Sequence, residues 1–515
     1  MGWSFLDIED IIILGGGSAG WMTASTLIKI FPKKNITVIE SPDINTVGVG
    51  ESTLGQIREW TSFMGISDKD LLSNSNGSYK LSIKFNDFYK KGESFHYPLG
   101  DYNLENTATG FNDWWFKKFI HPETPNSDYA DCFYPSMSLV KQNKISEKNV
   151  TRDSAFHFDA SMFANWLKKE MCLKKGVKHI IENIGSIEED EEGIVSLNGK
   201  HKASLYIDCT GFKSLLLNKT LKEPFESYEH LLPNNSAWAT KLPYTDKEKQ
   251  LVSYTDCTAY NNGWVWNIPL WSRIGTGYVY SDKFISDDDA LKEFKEYLGR
   301  DDLEFKKIKM KVGIHKRLWV KNVVAIGLSA GFIEPLESNG LLSVHQFLFF
   351  LIRNLNRGKI SQWDKDSFTF QCKKFFKSFS EFVALHYALS HRDDTPYWKN
   401  NLNKNWSESL INLKTDFFSD MSKLALARDE EYGFSKRGGL HCVTAGMNYG
   451  PTEFNTIKWL SKNTDNKYWE NKWLFSTQNL NDNKKKWDKF YKNSPSLIEY
   501  LNKNIYNLSL IHISE

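Results

Sequence analysis

The chain has 515 residues, enough for roughly two to four domains or one large α/β body with a sizeable core. A net charge of +2 and a pI near 8.0 select neither nucleic acid nor an acidic membrane as partner. The six cysteines are scattered with no C-x-x-C pair, which argues against a zinc ribbon or disulfide scaffold, gives no metal site and fits a reducing cytoplasm.

Met1–Asp10 carries acids and no basic n-region, so no signal peptide is expected. Ile11–Leu14 is a β-branched and aliphatic run that stops at Gly15-Gly16-Gly17, the pattern of a buried parallel strand feeding a turn. Trp21–Ile30 has helical apolar spacing, and Asn35–Glu40 (NITVIE) reads as a second strand. Strand, turn, helix, strand is a βαβ unit.

Gly15, Gly17 and Gly20 form G-x-G-x-x-G, a weak signal alone but here set between a strand and a helix, with an acid, Glu40, at the end of the next strand. The first glycine allows the tight turn, the second lets a pyrophosphate approach the backbone, and the third lets helix and strand pack closely. The helix start at Ser18 and Ala19 offers free N–H groups to phosphate, and Glu40 is expected to accept from the adenosine ribose. This unit alone would also fit an NAD-dependent dehydrogenase. Leu205–Gly211 (LYIDCTG) and Asn322–Gly331 (NVVAIGLSAG), which includes Leu328, favour FAD. They resemble the segments where two-dinucleotide-fold flavoproteins return to the cofactor.

Alternating and aromatic-rich segments from about 236 to 281 predict sheet, and Val323–Gly327 another buried strand. A long apolar helix is expected over about Leu341–Leu355. Neither Ile11–Leu14 nor Leu341–Ile352, which His345 and Gln346 interrupt, is long enough to span a bilayer. Beyond Gly358 the pattern is mainly helical. Lys484-Lys485-Lys486 reads as a solvated face. The expected division is residues 1–350, a discontinuous FAD-binding region with a sheet around 236–315, and 351–515, a helical substrate-side region.

With these residues in view, most of residues 10–400 resembles the flavin-dependent halogenases, often called tryptophan halogenases. Gly15–Ala24 resembles the family's flavin motif, and Gly48–Leu54 (GVGESTL), with Val49, Glu51 and Ser52, its second segment along the flavin. Trp264–Pro269 matches the W-x-W-x-I-P signature, which is far more specific than a glycine motif. Gly331–Gly340 (GFIEPLESNG) resembles the active-site and halide segment, and Phe382–Trp398 also looks like the family.

The resemblance implies a glutathione-reductase-like α/β flavoprotein with a mainly helical C-terminal region. It implies that FADH₂ from a separate NAD(P)H-dependent reductase, O₂ and a halide give hypohalous acid, which halogenates a small electron-rich aromatic substrate. Lys80 falls at the catalytic lysine, with Lys84 as a competing candidate, and Glu337 falls at the catalytic glutamate. Backbone N–H groups of Asn339 and Gly340 take the halide position, where the common pair is Thr-Gly, and Leu341 replaces a more usual isoleucine. Trp264 and Trp266 would shield the flavin from organic substrate while a halide passes. Monomer or homodimer, cytoplasmic location and no nucleic-acid or membrane partner complete the expectation. A flavin-dependent aromatic monooxygenase is the nearest alternative, followed by a non-catalytic flavin-binding protein.

Overall fold

The computed structural model describes residues 8–44, 50–107, 109–404, 406, 439–450 and 466–507. The chain falls into two compact units, each of three segments. The first comprises Met1–Gly77, Phe158–Ala237 and Lys307–Ser378; the second comprises Ser78–His157, Trp238–Lys306 and Phe379–Glu515.

The first unit is built on a six-stranded sheet. Its order is Trp319–Val320, Val323–Ala325, Leu205–Asp208, Asp10–Leu14, Asn35–Glu40, Lys178–Ile181. Every neighbouring pair is parallel except the first, which is antiparallel. Asp10–Leu14 is central, and Ile11, Ile12, Ile13 and Leu14 are all buried, as a strand covered on both faces requires. The helix Ser18–Ile30 follows it. Leu205–Asp208 lies directly beside it, with Ile11 opposite Leu205 and Leu14 opposite Asp208.

Asp208 fixes the turn after its strand. Its fully buried carboxylate accepts from the backbone N–H groups of Thr210 (3.0 Å), Leu216 (2.8 Å) and Leu217 (2.9 Å). A buried charge is tolerated where donors satisfy it in this way.

In the second unit the strands Ile274–Tyr280, Gly263–Pro269, Tyr254–Tyr260, Ser82–Asn86 and Ser94–Pro98 lie side by side in that order. All pair antiparallel except Tyr254–Tyr260 with Ser82–Asn86, which is parallel. Residues 238–306, within the stretch read as the N-terminal region, belong to this unit. Val265, Tyr278, Tyr280, Ala290 and Phe294 form a buried apolar cluster under the sheet.

Beyond residue 355 the described elements are helices: Gln362–Ala388, Pro396–Leu402, Leu440–Gly446, Asn466–Tyr491 and Leu497–Leu501. Lys484 departs from the expected solvated face. Its ammonium lies 2.6 Å from Asp128 Oδ1, and Lys117 lies 2.6 Å from Oδ2 of the same carboxylate. These cations hold the Asp128 pKa down at about 2 against the effect of burial. Lys485 and Lys486 are exposed as expected. Among the described residues no helix is long and apolar enough to cross a membrane.

Candidate active site

A cavity of about 520 Å³ opens at the C-terminal ends of the parallel strands in the first unit. Gly15, Gly17, Ser18 and Ala19 line one wall, with Glu40 beside them. Gly15 has φ +116°, and a Cβ there would lie 2.3 Å from the Cys209 carbonyl oxygen. A side chain is therefore excluded twice, by conformation and by contact. Gly17 is different: a Cβ there would meet nothing within 4 Å, so its open side faces free space. Gly17 caps the helix Ser18–Ile30 with no side-chain hydrogen bond, which leaves first-turn N–H groups available to an anion. These features fit a pyrophosphate. Gly20 does not line the cavity; a Cβ there would sit 1.9 Å from the Gly15 carbonyl oxygen, so it serves the packing of helix on turn.

Leu328, Asn339, Gly340 and Leu341 line the same cavity, as does Glu51. Asn339 is the residue before the helix Gly340–Leu355 and makes no side-chain cap; its Nδ2 donates instead to the Ile333 carbonyl at 3.3 Å. The helix start therefore presents backbone donors to the cavity. Ser338 has φ +57°, and its hydroxyl bonds Ser52 at 3.0 Å. That bond ties Glu51–Ser52 to the turn Pro335–Glu337. Ser52 thus supports the cavity without lining it. Glu337 is fully buried in that turn, three residues after Glu334, whose carboxylate accepts from Asn234 at 2.7 Å. Val49 lies outside the described residues.

Lys80 belongs to the second unit and is fully buried. Its strand, Ser78–Lys80, pairs antiparallel with residues 155–157, placing Lys80 opposite Ala155 and Ser78 opposite His157. Ser78 Oγ donates to the Pro269 carbonyl at 2.7 Å, which fastens the lysine strand to the end of Gly263–Pro269. Burial, and then the Lys80 ammonium, push the His157 pKa well below its ordinary value, so this imidazole stays neutral. Lys84 stands in register between Asp256 and His96 on the sheet, the setting of an ordinary structural lysine.

Trp264 and Trp266 are both buried, with ring centroids 6.1 Å apart. In the same unit, Tyr129 and Tyr134 bond the two ring nitrogens of buried His441 at 2.9 and 3.0 Å. Burial lowers the His441 pKa to about 3.

The family model for tryptophan halogenases matches residues 10–492. The chain belongs to the tryptophan halogenase family. The tryptophan 6-halogenase SttH of Streptomyces toxytricini is 34% identical over 427 residues, 76% of this chain and 80% of that protein. The tryptophan 7-halogenase RebH of Lentzea aerocolonigenes is 32% identical over 482 residues, 86% of this chain and 90% of that one. The apo structure of VirX1 superposes with a TM-score of 0.87 at 35% identity, covering 97% of this chain and all of that one. A tryptophan halogenase of this kind is a flavin-dependent oxidoreductase: it takes reduced FAD from a separate reductase and uses O₂ and a halide on an aromatic substrate. Its fold is the FAD-binding α/β fold with a helical C-terminal region.

Sequence reasoning missed several residues of the cavity wall in this tryptophan halogenase. Ser41, Asp43, Glu182 and Asn183 line it too. All four follow the strands Asn35–Glu40 and Lys178–Ile181, so the usable signal was position just past a parallel strand's C-terminal end, where α/β ligand sites form.

Proposed function

We propose that this halogenase binds FAD in the first-unit cavity and transfers halogen to an electron-rich aromatic such as indole or a phenol. The observation that carries the reading is that the glycine turn Gly15–Ala19 and the helix start Asn339–Leu341 line one cavity. When bound, reduced flavin with O₂ supplies the oxidising equivalent that turns halide into hypohalous acid. The chain's own part is to hold, orient and exclude. Backbone N–H groups at Asn339 and Gly340 hold the halide with directional positive potential and no titrating group. Trp264 and Trp266 keep bulky organic substrate from the oxidant, which separates a halogenase from a monooxygenase. Lys80 hydrogen-bonds hypohalous acid or carries the halogen as a haloamine. Glu337 stabilises or deprotonates the cationic intermediate of aromatic substitution.

The similarity to a tryptophan 6-halogenase and a tryptophan 7-halogenase supports tryptophan as a second substrate reading. Mass spectrometry of products from tryptophan, indole and phenols, with FAD, a reductase and each halide in turn, decides between them. Hydroxylated product without halide dependence would overturn the proposal.

A further inference from the structure

At the far end of the cavity, Glu40 is not a free acceptor. Its Oε1 takes two donors, His179 Nε2 at 2.7 Å and Lys168 Nζ at 3.1 Å. Both arrive from elements the flavin motif does not contain. His179 lies on Lys178–Ile181 opposite Val38, which shares a strand face with Glu40. Lys168 lies on the π-helical turn Leu167–Cys172. Buried Trp21 braces both: its ring meets His179 edge-on at 5.3 Å, and the Lys168 ammonium sits 5.5 Å from its centroid. The other carboxylate oxygen lies against the middle glycine of the turn, since a Cβ on Gly16 would fall 1.6 Å from Glu40 Oε2. Gly16 occupies an x position of G-x-G-x-x-G, so the motif does not require it; the packed carboxylate does.

A carboxylate in this position has an electrostatic cost. It shares its cavity with the turn that fits a pyrophosphate, and three negative charges at short range oppose one another. We infer that Lys168 and His179 are positioning residues that hold Glu40, with the Lys168 ammonium offsetting its charge, and thereby set the chain's affinity for the adenosine half of the flavin. The inference rests on the cavity being the flavin's. It distinguishes the two halves of the cofactor: the pair acts on ribose and pyrophosphate and has no contact with the Asn339–Leu341 end of the wall.

The test is equilibrium binding of FAD, ADP and FMN, by fluorescence and calorimetry, to the full chain and to Lys168→Met, Lys168→Arg, His179→Gln and Gly16→Ala. Lys168→Met and His179→Gln should each weaken FAD and ADP about tenfold, the scale of one charge-assisted hydrogen bond. FMN should stay within about twofold of the parent, because a one-bond loss confined to the adenosine half leaves the rest of the site's free energy unchanged. Lys168→Arg should restore FAD, and Gly16→Ala, by displacing Glu40, should behave as Lys168→Met does. Equal weakening of FMN and FAD would mean that the pair is merely structural, and unchanged FAD and ADP binding would mean that it has no role; either overturns the inference. Failure of the parent chain to bind FAD would overturn instead the assignment of the cavity.

Discussion

The indole of Trp266 lies across Gly277 of the neighbouring strand: a Cβ on that glycine would fall 2.1 Å from ring carbon Cη2. The W-x-W-x-I-P strand thus depends on a glycine outside the signature for the pose of its second tryptophan. Gly277→Ala should displace the ring and cost about 1–3 kcal/mol of stability as an overpacked core. If Trp266 shields the oxidant, halogenated product should fall while hydrogen peroxide released per reduced flavin rises. A variant with unchanged product yield and coupling would show that the pose of Trp266 has no part in selectivity.

Lys80 is buried on a strand sewn to Pro269, so a replacement that keeps its length should fold. Lys80→Met should bind FAD and consume reduced flavin and O₂ as the parent does. Product should drop at least about 100-fold, the lower range for loss of a positioned acid–base group. Lys84→Met, on the half-buried sheet position, should retain most of its activity. If the two variants exchange these behaviours, the assignment of the lysine is reversed.

How far the sequence carried this account depended on the range of the signal. The first βαβ unit was legible because strand, glycine turn and acid lie within thirty residues and each glycine has a local reason. The return strands Leu205–Asp208 and Val323–Ala325 were legible as buried runs, and the sheet around 236–281 as alternation. The partners of Glu40 were not: Lys168 and His179 lie far along the chain in unremarkable contexts, and only the parallel pairing of Asn35–Glu40 with Lys178–Ile181 brings them in. Lys484 was misread for the same reason, because a lysine run looks solvated until Asp128 is known to stand opposite one member. Likewise a Cβ on Gly439 or Gly446 would meet the ring of Tyr97 at 2.3 Å or of Phe95 at 2.2 Å, and those rings lie far back along the chain where no local signal announces them. Those glycines are there for close aromatic packing.

Glu337 is fully buried in a tight turn, and Glu337→Gln changes its charge but hardly its size. Turnover should fall on the order of 10²-fold, within the range for a general acid–base group. The melting temperature should move little. Loss of folded protein with normal activity per folded molecule would make the residue structural.

Glu51 gives the enzyme a pH dependence whose sign can be worked out. Burial first, and then the Asp159 carboxylate, raise its pKa from 4.5 to about 7. Between these values the native state keeps a proton that the unfolded chain has released, so stability falls as pH rises from 4.5 to 7 and the loss is complete above 7. Glu51→Gln removes this titration, so its melting temperature should gain on the parent between pH 5 and 8. The carboxylate also stands at the proposed halide site, with Oε2 3.6 Å from where a Cβ on Gly340 would lie. An ionised Glu51 repels halide, so the KM for bromide should climb above pH 7 in the parent and climb less in Glu51→Gln. Parallel pH profiles for the two proteins would exclude Glu51 from both effects.

The substrate prediction rests on residues 428–451. The resemblance implies that family members taking free tryptophan grip it with a Tyr-Tyr pair and a nearby acid from the C-terminal half, and this stretch of that half contains no Tyr-Tyr. Tyr432 lies outside the described residues, and Tyr449 follows the helix Leu440–Gly446, whose His441 is already committed to Tyr129 and Tyr134. With both ring nitrogens taken and its pKa held at about 3, His441 offers an amino acid neither a free donor nor a charge. Free tryptophan, whose ammonium and carboxylate need partners to leave water, should therefore react poorly. Indole, phenols or a larger aromatic lacking that zwitterion should react better, at the ring carbon most open to electrophilic attack. Bromide and iodide shed water more readily than chloride and are more easily oxidised, and backbone donors do not discriminate by side chain, so they should serve at least as well. Competition with equal chloride and bromide, run on tryptophan and on indole, tests both halves. A clean preference for chloride and for tryptophan at a single ring position would overturn both halves, and would place an amino-acid clamp elsewhere in the chain.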